Sequence, residues 1–248
     1  MKNYYDSDFI EDISHKLCEE IAEISKGVCL LGFSRGKDSI AAYIRLKYYF
    51  KTIIPFHLCS VPHLSFVDDS LNYYEKILET KIERCVNGEI TKAIGTLIYQ
   101  PIEDEDNIDQ LNLWAYDTHK VVELIKRKYN LPLDTWTAFG INASDSIDRH
   151  IYVNKYKGKI DSRKSFYPCY NWKKKQIIDY INKYNIKLPK DYLLSNRTLA
   201  GLPSYRHLEK INEIFPEDME KIECVFPFIK AQMARNEFRK NNINQEVV

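Results

Sequence analysis

A junction between a strand-like run and a helix-like run near the N-terminus constrains the fold of this chain more than any other feature. Residues 28–32 form a short apolar run that ends in glycine, and residues 40–46 place apolar side chains at helical spacing. Between them lies a polar, glycine-containing stretch, Ser34-Arg35-Gly36-Lys37-Asp38-Ser39. The order of strand, tight loop and helix is typical of α/β proteins.

The stretch 34–39 has the chemistry of an anion-binding loop. The N–H groups of the first helical turn and the helix dipole both attract negative charge. Ser34 and Ser39 add hydroxyl donors and Lys37 adds a positive charge, while Asp38 is a candidate ligand for a Mg²⁺ ion that bridges phosphate oxygens. We therefore predict that the loop binds phosphate groups; a polar turn without a ligand is the simpler alternative.

A second predicted strand follows the helix and completes a βαβ unit. Residues 52–60 are apolar and rich in β-branched side chains, and the links on either side of the helix are short. Such a unit implies a parallel sheet with a right-handed crossover, whose ligands bind at the carboxyl ends of the strands. We expect the Ser34 loop to line one crevice with the end of this strand, at Cys59, Ser60 and Val61.

The remaining pattern predicts further alternation of strands and helices, followed by helices alone. Predicted helices cover residues 8–26, 65–82 with Ser65 as cap, 114–129, 171–181 with Asn171 as cap, and 217–238 with an interruption at Phe226-Pro227-Phe228. Predicted third and fourth strands cover residues 96–100 and 135–140, and the acidic run 103–106 is interpreted as a solvated turn. We expect an α/β fold of three layers, with a mostly parallel twisted sheet flanked by helices. The expected domains are a nucleotide-binding α/β domain over residues 1–190 and a helical extension over residues 191–248 that packs on it.

The spacing within the loop excludes one common phosphate-binding motif and matches another. A Walker A loop has four residues between its first glycine and Gly-Lys-Ser/Thr, whereas three residues separate Gly32 from Gly36, and Lys37 is followed by Asp38. The stretch instead resembles the Ser-Gly-Gly-x-Asp-Ser loop of the PP-loop ATP pyrophosphatases. Ser34, Gly36, Asp38 and Ser39 match that pattern, and Arg35 replaces its first glycine.

A second motif follows the fourth predicted strand. Its sequence resembles the Gly-x-Arg-x-x-Glu-Ser-x-x-Arg pattern of phosphoadenylyl-sulfate (PAPS) reductases and their relatives, with Gly140, Ser146 and Arg149 in matching positions. Asp145 replaces the Glu conservatively. Asn142 replaces the first Arg and so removes one positive charge, whereas Arg149 keeps a fork of donors suited to a phosphate.

The resemblance implies the fold of the adenine nucleotide α hydrolases and their chemistry. In PP-loop enzymes the loop grips the pyrophosphate of ATP, and a substrate oxygen attacks the α-phosphate to give an adenylated intermediate and pyrophosphate. By this resemblance Lys37, Asp38 and Arg149 are the catalytic candidates, and Asp38 is the Mg²⁺ ligand. The candidates for nucleotide binding are Ser34, Arg35, Gly36, Lys37, Asp38, Ser39, Ser60, Gly140, Ser146 and Arg149.

Two alternatives to this ATP pyrophosphatase prediction stay open. The reductase branch uses PAPS and a cysteine in Glu-Cys-Gly-Ile-His, and the only comparable position, Glu223-Cys224-Val225-Phe226, lacks the last three residues. Its apolar neighbours predict a buried Cys224 with a raised pKa. Cys59 and Cys169 are each either persulfide carriers or packed thiols. The second alternative is a nucleotide-binding regulator without catalysis, because the Arg35 side chain either blocks the approach of phosphate or contacts it.

Composition bounds the partners and the compartment. Thirty-six basic and thirty-five acidic residues leave a net charge of +1, which does not by itself favour a polyanion. None of the six cysteines forms a Cys-x-x-Cys pair, so we expect no iron–sulfur cluster, no zinc site and no disulfides. Since no apolar stretch is long enough to span a membrane, we expect a cytoplasmic protein. The basic segment 155–164 is either a mobile flap over phosphates or a solvated loop. The acceptor substrate is unknown, and a protein partner, a homodimer or a nucleic acid bound by the lysines of 155–175 stays open.

Overall fold

The structure of the chain is a computed structural model that describes residues 13–144, 146–195, 198 and 205–245. It divides into two compact units. The first comprises the chain up to His57 together with Glu75–Glu83 and Lys126–Leu188, and the second comprises Leu58–Tyr74, Arg84–Ile125 and the chain from Pro189 onward. The domain boundary predicted after residue 190 stays a prediction.

Strands and helices alternate through the first two thirds of the chain. The strands are β1 (Val28–Gly32), β2 (Thr52–Cys59), β3 (Glu83–Val86), β4 (Thr137–Phe139), β5 (Lys159–Ile160) and β6 (Ser165–Phe166). The helices are α1 (Ile13–Ile24), α2 (Lys37–Leu46), α3 (Ser65–Leu78), α4 (Gly88–Gly95), α5 (Glu105–Gln110), α6 (Thr118–Lys128), α7 (Ile147–Lys155), α8 (Lys174–Lys183), α9 (Lys190–Ser195), α10 (Tyr205–Ile214), α11 (Pro216–Val225) and α12 (Ile229–Gln245).

The strands form a six-stranded sheet in the order β3-β2-β1-β4-β6-β5. Strand β1 is parallel to β2 and to β4, and β4 is parallel to β6, whereas β5 runs antiparallel to β6. Cys29, Leu30 and Leu31 in β1 are fully buried, because a central parallel strand is covered on both faces. This explains the continuous apolar run in the sequence and confirms the predicted α/β class with a mostly parallel sheet.

The order of strands reverses around β1. The chain passes from β1 to its neighbour β2 on one side, and later returns to β4 on the other side. Gly32 at the end of β1 pairs with Phe56 of β2 and with Phe139 of β4. Ligands of open α/β sheets bind at such a switch point, outside the carboxyl ends of the strands. The fold therefore favours a ligand at the segments that follow β1 and β4.

Helix α2, which follows the switch point, is buried along nearly all of its length. Nine of the ten residues of α2 are buried, including Lys37 and Arg45. Helix α8 packs on α2, and the guanidinium of Arg45 lies 4.9 Å from the ring centroid of Trp172, just ahead of α8. The predicted N-terminal helix is confirmed as α1, while residues 8–12 lie outside the described residues.

Two sequence predictions in the second quarter of the chain are wrong. Residues 96–100 do not form a strand, because Leu97 and Tyr99 have φ angles of 57° and 59° in the left-handed region and follow directly after α4. The third strand is β3, which the sequence did not reveal. Helix α3 ends at Leu78 and not at residue 82, because Glu79 takes a φ of 49°.

Two predictions about local structure also need correction. The segment 155–164 contributes β5, which pairs with β6 at the sheet edge, so it is not a free flap. Asn171 does not cap α8; Lys173 occupies the cap position, and its backbone N–H donates to Gln176 Oε1 at 2.7 Å. The acidic run 103–106 forms a 3₁₀ turn and the start of α5. A short turn of this kind still leaves acidic side chains in solvent.

In the second unit, helices α10, α11 and α12 pack against one another. Residues 226–228 separate α11 from α12, as predicted from the proline. Residues 199–202, which belong to the predicted helical extension, lie outside the described residues. No helix within the described residues is both long enough and apolar enough to cross a bilayer.

The start of α3 is capped by a residue more than 150 positions away in the sequence. Both carboxylate oxygens of fully buried Asp218 accept from Ser65 N at 2.8 Å, and Oδ2 accepts from Ser65 Oγ at 2.7 Å. Lys221 Nζ donates to Asp218 Oδ1 at 2.8 Å. Burial raises the pKa of Asp218, but these hydrogen bonds outweigh it and hold the pKa below its usual value. Ser65 is therefore the first residue of α3, and Asp218 serves as its cap.

Candidate nucleotide-binding site

The backbone is fixed at the point where β1 passes into the loop. Phe33 N donates to Phe56 O at 2.7 Å, which continues the pairing with β2 by one residue. At the carbonyl group of the same residue, His57 Nδ1 lies 2.8 Å from Phe33 O. A carbonyl oxygen can only accept, so this imidazole nitrogen carries the proton. Buried His57 thus holds the residue before Ser34 in place. No local pattern of residues predicts this contact.

The residue that departs from the PP-loop pattern takes a backbone conformation typical of glycine. Arg35 has a φ of 66°, in the left-handed region, which explains why a glycine suits this position in the resembling loops. Its side chain is fully buried. The guanidinium is therefore enclosed by protein and does not project above the loop. A contact between Arg35 and a nucleotide stays a prediction.

The loop ends in a small cradle of hydroxyl and backbone groups. Gly36 caps α2 in an extended conformation, so the cap has no side chain that could accept from the first-turn N–H groups. Ser39 Oγ donates to Gly36 O at 2.9 Å, and exposed Ser34 donates from its Oγ to Ser39 Oγ at 3.2 Å. This arrangement presents the positive end of a helix to an anion.

An ion pair lies at the first turn of α2. Lys37 Nζ and Asp38 Oδ2 are 2.6 Å apart, and the side chains are 10% and 19% exposed. A bound phosphate would compete with Asp38 for the lysine charge. Within the described residues, no group of three or more His, Cys, Asp or Glu could hold a metal ion. Magnesium usually binds through one or two carboxylates and the phosphates of its substrate, so Asp38 fits a Mg²⁺ that binds together with a nucleotide.

The second motif lies directly against the first. A Cβ built at Gly140 would come within 2.5 Å of Ser39 N and 2.7 Å of the Asp38 carbonyl carbon. Only glycine allows this approach of two backbones. The structure therefore brings the segment after β4 onto the first turn of α2, at the switch point of the sheet.

The segment after Gly140 is anchored by the residue that replaces the arginine of the family pattern. Asn142 is buried, and its Nδ2 donates to Cys169 O at 3.0 Å while its Oδ1 accepts from Ser144 N at 2.7 Å. Ala143 N donates to Tyr170 O at 2.9 Å. The substitution thus exchanges a positive charge for a structural amide. The sequence showed the loss of charge but not the new contacts.

The other predicted site residues lie in different surroundings. Ser146 caps α7, and its Oγ accepts from Arg149 N at 3.2 Å; Arg149 is exposed in the first turn of that helix. Asp145 lies outside the described residues. Ser60 follows β2 directly, in the second unit. The roles of Ser60, Ser146 and Arg149 in nucleotide binding stay predictions.

The six cysteines all lie within the described residues, and none of them forms a disulfide. Cys169 is buried and Cys59 is half-buried. Cys224 is exposed, so its predicted burial is wrong. Its apolar sequence neighbours Ile222 and Phe226 are buried, while the cysteine itself lies on the outer side of α11.

Comparisons with known proteins give likenesses of structure only. No family model and no curated protein sequence matches the chain. The chain is similar to an NH3-dependent NAD synthetase from Campylobacter jejuni, in complex with a nitrate ion, at 17% identity, 92% coverage of this chain, 94% of that chain and a TM-score of 0.44.

Two further solved structures resemble the chain. A PAPS reductase from Candida auris, in a phosphate complex, shares 11% identity over 81% of this chain and 97% of that chain, with a TM-score of 0.48. An NAD+ synthetase from Burkholderia pseudomallei shares 13% identity over 90% of this chain and 91% of that chain, with a TM-score of 0.42.

Proposed function

We propose that the chain binds ATP at the Ser34–Ser39 loop and the Gly140–Arg149 segment, and cleaves it between the α and β phosphates to adenylate an acceptor. The observation that carries this proposal is the contact of Gly140 with the Asp38–Ser39 backbone. It joins the two motifs at the sheet's switch point, where α/β proteins bind their ligands.

The loop has the groups that a pyrophosphate needs. The first-turn N–H groups of α2 and the hydroxyl of Ser34 are donors for phosphate oxygens, and Lys37 supplies a positive charge. A Mg²⁺ held in part by Asp38 would neutralise further phosphate charge when the nucleotide is bound. Arg149, exposed at the start of α7, is the candidate for a contact with the α-phosphate.

The proposed reaction is a substitution at the α-phosphorus. An oxygen of the acceptor forms a bond to that phosphorus, the bond to the bridging oxygen breaks, and pyrophosphate leaves with the electron pair while the acceptor's proton passes to solvent. Lys37 and the loop N–H groups stabilise the charge that grows on the leaving pyrophosphate. A sulfur or nitrogen nucleophile then attacks the adenylated acceptor and displaces AMP, which leaves with the acceptor oxygen, in sulfur transfer or in modification of a nucleotide or nucleic acid.

A second candidate is the reduction of a sulfonucleotide such as PAPS. The exposure of Cys224 favours it, because a nucleophilic thiol must be accessible. The absence of the Gly, Ile and His that follow the reductase cysteine speaks against it.

Analysis of the products from ATP tests the proposal. The protein is incubated with ATP and Mg²⁺, with and without acceptors, and the nucleotides and phosphates are separated by ion-exchange chromatography. AMP with pyrophosphate supports the proposal, whereas ADP with phosphate contradicts it. Tight binding of ATP without turnover would instead indicate a regulator, and release of sulfite from PAPS with a thiol donor would indicate the reductase.

Two loop variants and a control locate the activity. Ser34→Ala should weaken the binding of ATP about tenfold, and Asp38→Ala should abolish its turnover. Asp109→Ala, which removes an exposed carboxylate in the second unit, should change neither. Unchanged behaviour of both loop variants would contradict the assignment of the loop.

A further inference from the structure

The near-neutral net charge hides a strong segregation of charge along the chain. Residues 149–187 contain eleven lysines and arginines but only two aspartates, whereas residues 93–119 contain six carboxylates and no lysine or arginine. The first of these ranges belongs to the first unit, which also contains the candidate nucleotide site. The overall charge of +1 is therefore a poor guide to the partners of this unit.

Part of the basic region lies at the same sheet edge as the candidate site. Strands β4 and β6 are parallel neighbours, with Ala138 paired to Phe166, so the segments that follow them leave the sheet on the same side. The hydrogen bond from Ala143 N to Tyr170 O, at 2.9 Å, ties these two segments together. They lead into α7 and α8, whose starts contain Arg149 and Lys173-Lys174-Lys175.

The three lysines occupy positions that helix stability does not favour. Lys173 is the cap of α8 and the next two are its first residues, where the helix dipole favours acidic side chains and repels positive charge. All three are exposed, and the first turn of α8 contains no acidic residue. An anionic ligand explains three consecutive cations at this place better than the stability of α8 does.

Repeated cations together with exposed aromatic rings fit a nucleic-acid strand better than a single phosphate. Consecutive lysines match the regular phosphates of such a strand. Tyr152 on α7 and Tyr156, the residue that follows this helix, are each more than a third exposed, and their ring centroids are 5.1 Å apart. Lys155 Nζ lies 5.5 Å from the centroid of Tyr156. Exposed rings beside cations are the usual platform for unpaired bases.

We propose that Lys173–Lys175 bind the phosphate backbone of a single-stranded nucleic acid, and that this strand is the acceptor of the adenylation. The identification of the strand as the acceptor rests on the proposed function, whereas the binding of nucleic acid by these side chains does not. The position of the lysines beside the segment that contacts α2 places a bound strand next to the candidate nucleotide site.

Fluorescence anisotropy with labelled single-stranded RNA and DNA of mixed sequence tests the surface. The logarithm of the wild-type affinity should fall linearly with the logarithm of the salt concentration, as counterion release requires. The variant K173Q/K174Q/K175Q should lose about tenfold in affinity at 0.1 M salt, and its salt slope should be smaller by about 2, the value for three contacts to a single strand. Circular dichroism confirms that the variant is folded.

A matched triple variant controls for net charge. K26Q/K47Q/K51Q removes the same charge from exposed lysines at the other side of the sheet, next to the starts of β1 and β2. It should bind nucleic acid like the wild type. Equal losses of affinity in both triple variants would show a nonspecific effect of net charge and would contradict the proposed binding surface.

Two further results would also overturn the inference. One is the absence of oligonucleotide binding by the wild type at low salt. The other is displacement of the oligonucleotide by polyglutamate as effectively as by unlabelled strand, which would identify an acidic protein segment as the occupant. Binding of ATP is measured in parallel. ATP binding without oligonucleotide binding overturns this inference alone, and oligonucleotide binding without ATP binding overturns the proposed function alone.

Discussion

The backbone of Gly140 lies on the backbone of Ser39, so closely that a Cβ at position 140 would come within 2.5 Å of Ser39 N. Real Cβ atoms essentially never come nearer than 3.0 Å to such a neighbour. The contact joins the exit of β4 to the first turn of α2, and with it the two motifs that the sequence placed about one hundred residues apart.

The variant Gly140→Ala should disturb both stability and ATP binding. The added methyl group must push the segment after β4 away from α2, which costs about 1–3 kcal/mol of the free energy of unfolding. We expect at least about tenfold weaker ATP binding, measured by isothermal titration calorimetry, because phosphate contacts depend on the position of the α2 start. Gly95→Ala is the control, since a Cβ there meets its nearest neighbour at 3.4 Å. Equal behaviour of the two variants would contradict the account.

Ser34→Ala separates binding from stability. Ser34 is exposed and its hydroxyl donates to Ser39, while the bond from Ser39 to Gly36 survives its removal. The free energy of unfolding should change by less than about 0.5 kcal/mol. The affinity for ATP should fall about tenfold, because hydrogen bonds to charged groups contribute about 1.5–3 kcal/mol. Ser162→Ala, an exposed serine of the same unit, should leave the affinity unchanged; an unchanged affinity in Ser34→Ala would exclude this hydroxyl from the site.

The variant Arg35→Gly compares the free-energy cost of backbone strain at this residue with the stabilisation that its buried side chain provides. Glycine relieves about 1 kcal/mol of strain at a φ of 66°. It also deletes a fully buried side chain, and large-to-small changes in a core cost about 2–5 kcal/mol. We therefore expect a net loss of about 1–4 kcal/mol in the free energy of unfolding, measured by urea denaturation.

The control for this variant is Lys157→Gly, at a residue with a φ of 47° and an exposed side chain. Only strain is relieved there, so this variant should be as stable as the wild type or more stable. A stabilised Arg35→Gly protein would mean that the buried arginine contributes less than its strain costs.

Asp218→Asn should destabilise the second unit in a pH-dependent way. The folded-state pKa of Asp218 is lowered, so its contribution is present above the unfolded pKa of about 3.9 and is lost as pH falls through the lower, folded-state value. The wild type should exceed the variant by about 1–3 kcal/mol at pH 7, and the difference should shrink in acid. Urea denaturation at several pH values measures it. Glu220→Gln, exposed on the same helix, should show no such trend; a difference independent of pH would contradict the charged cap.

Local patterns predicted the elements that form the candidate site. The apolar run of β1, the loop and the spacing in α2 are all short-range signals, and the parallel pairing of β1 with β2 follows from the short links between them. The two motifs further predicted that Gly140 and the Ser34 loop act together, and the structure places them in contact.

The features that the sequence did not predict depend on contacts between residues that are distant in the chain or on left-handed backbone conformations. Residues 96–100 have the composition of a strand, but the left-handed Leu97 and Tyr99 turn the chain. The cap of α3 by Asp218 joins residues 153 positions apart, and the bond of His57 to Phe33 depends on the packing of β2 beside β1. Periodicity cannot reveal such pairs, because it reports one element at a time.

Hydrogen–deuterium exchange with and without Mg²⁺-ATP tests the central claim, that the loop after β1 and the segment after β4 form one nucleotide site. Peptides that cover residues 33–40 and 140–149 should both gain protection on addition of ATP, in proportion to the occupied fraction. Peptides of α12 should not change. Protection of only one of the two segments, or of neither while ATP is bound, would contradict the claim.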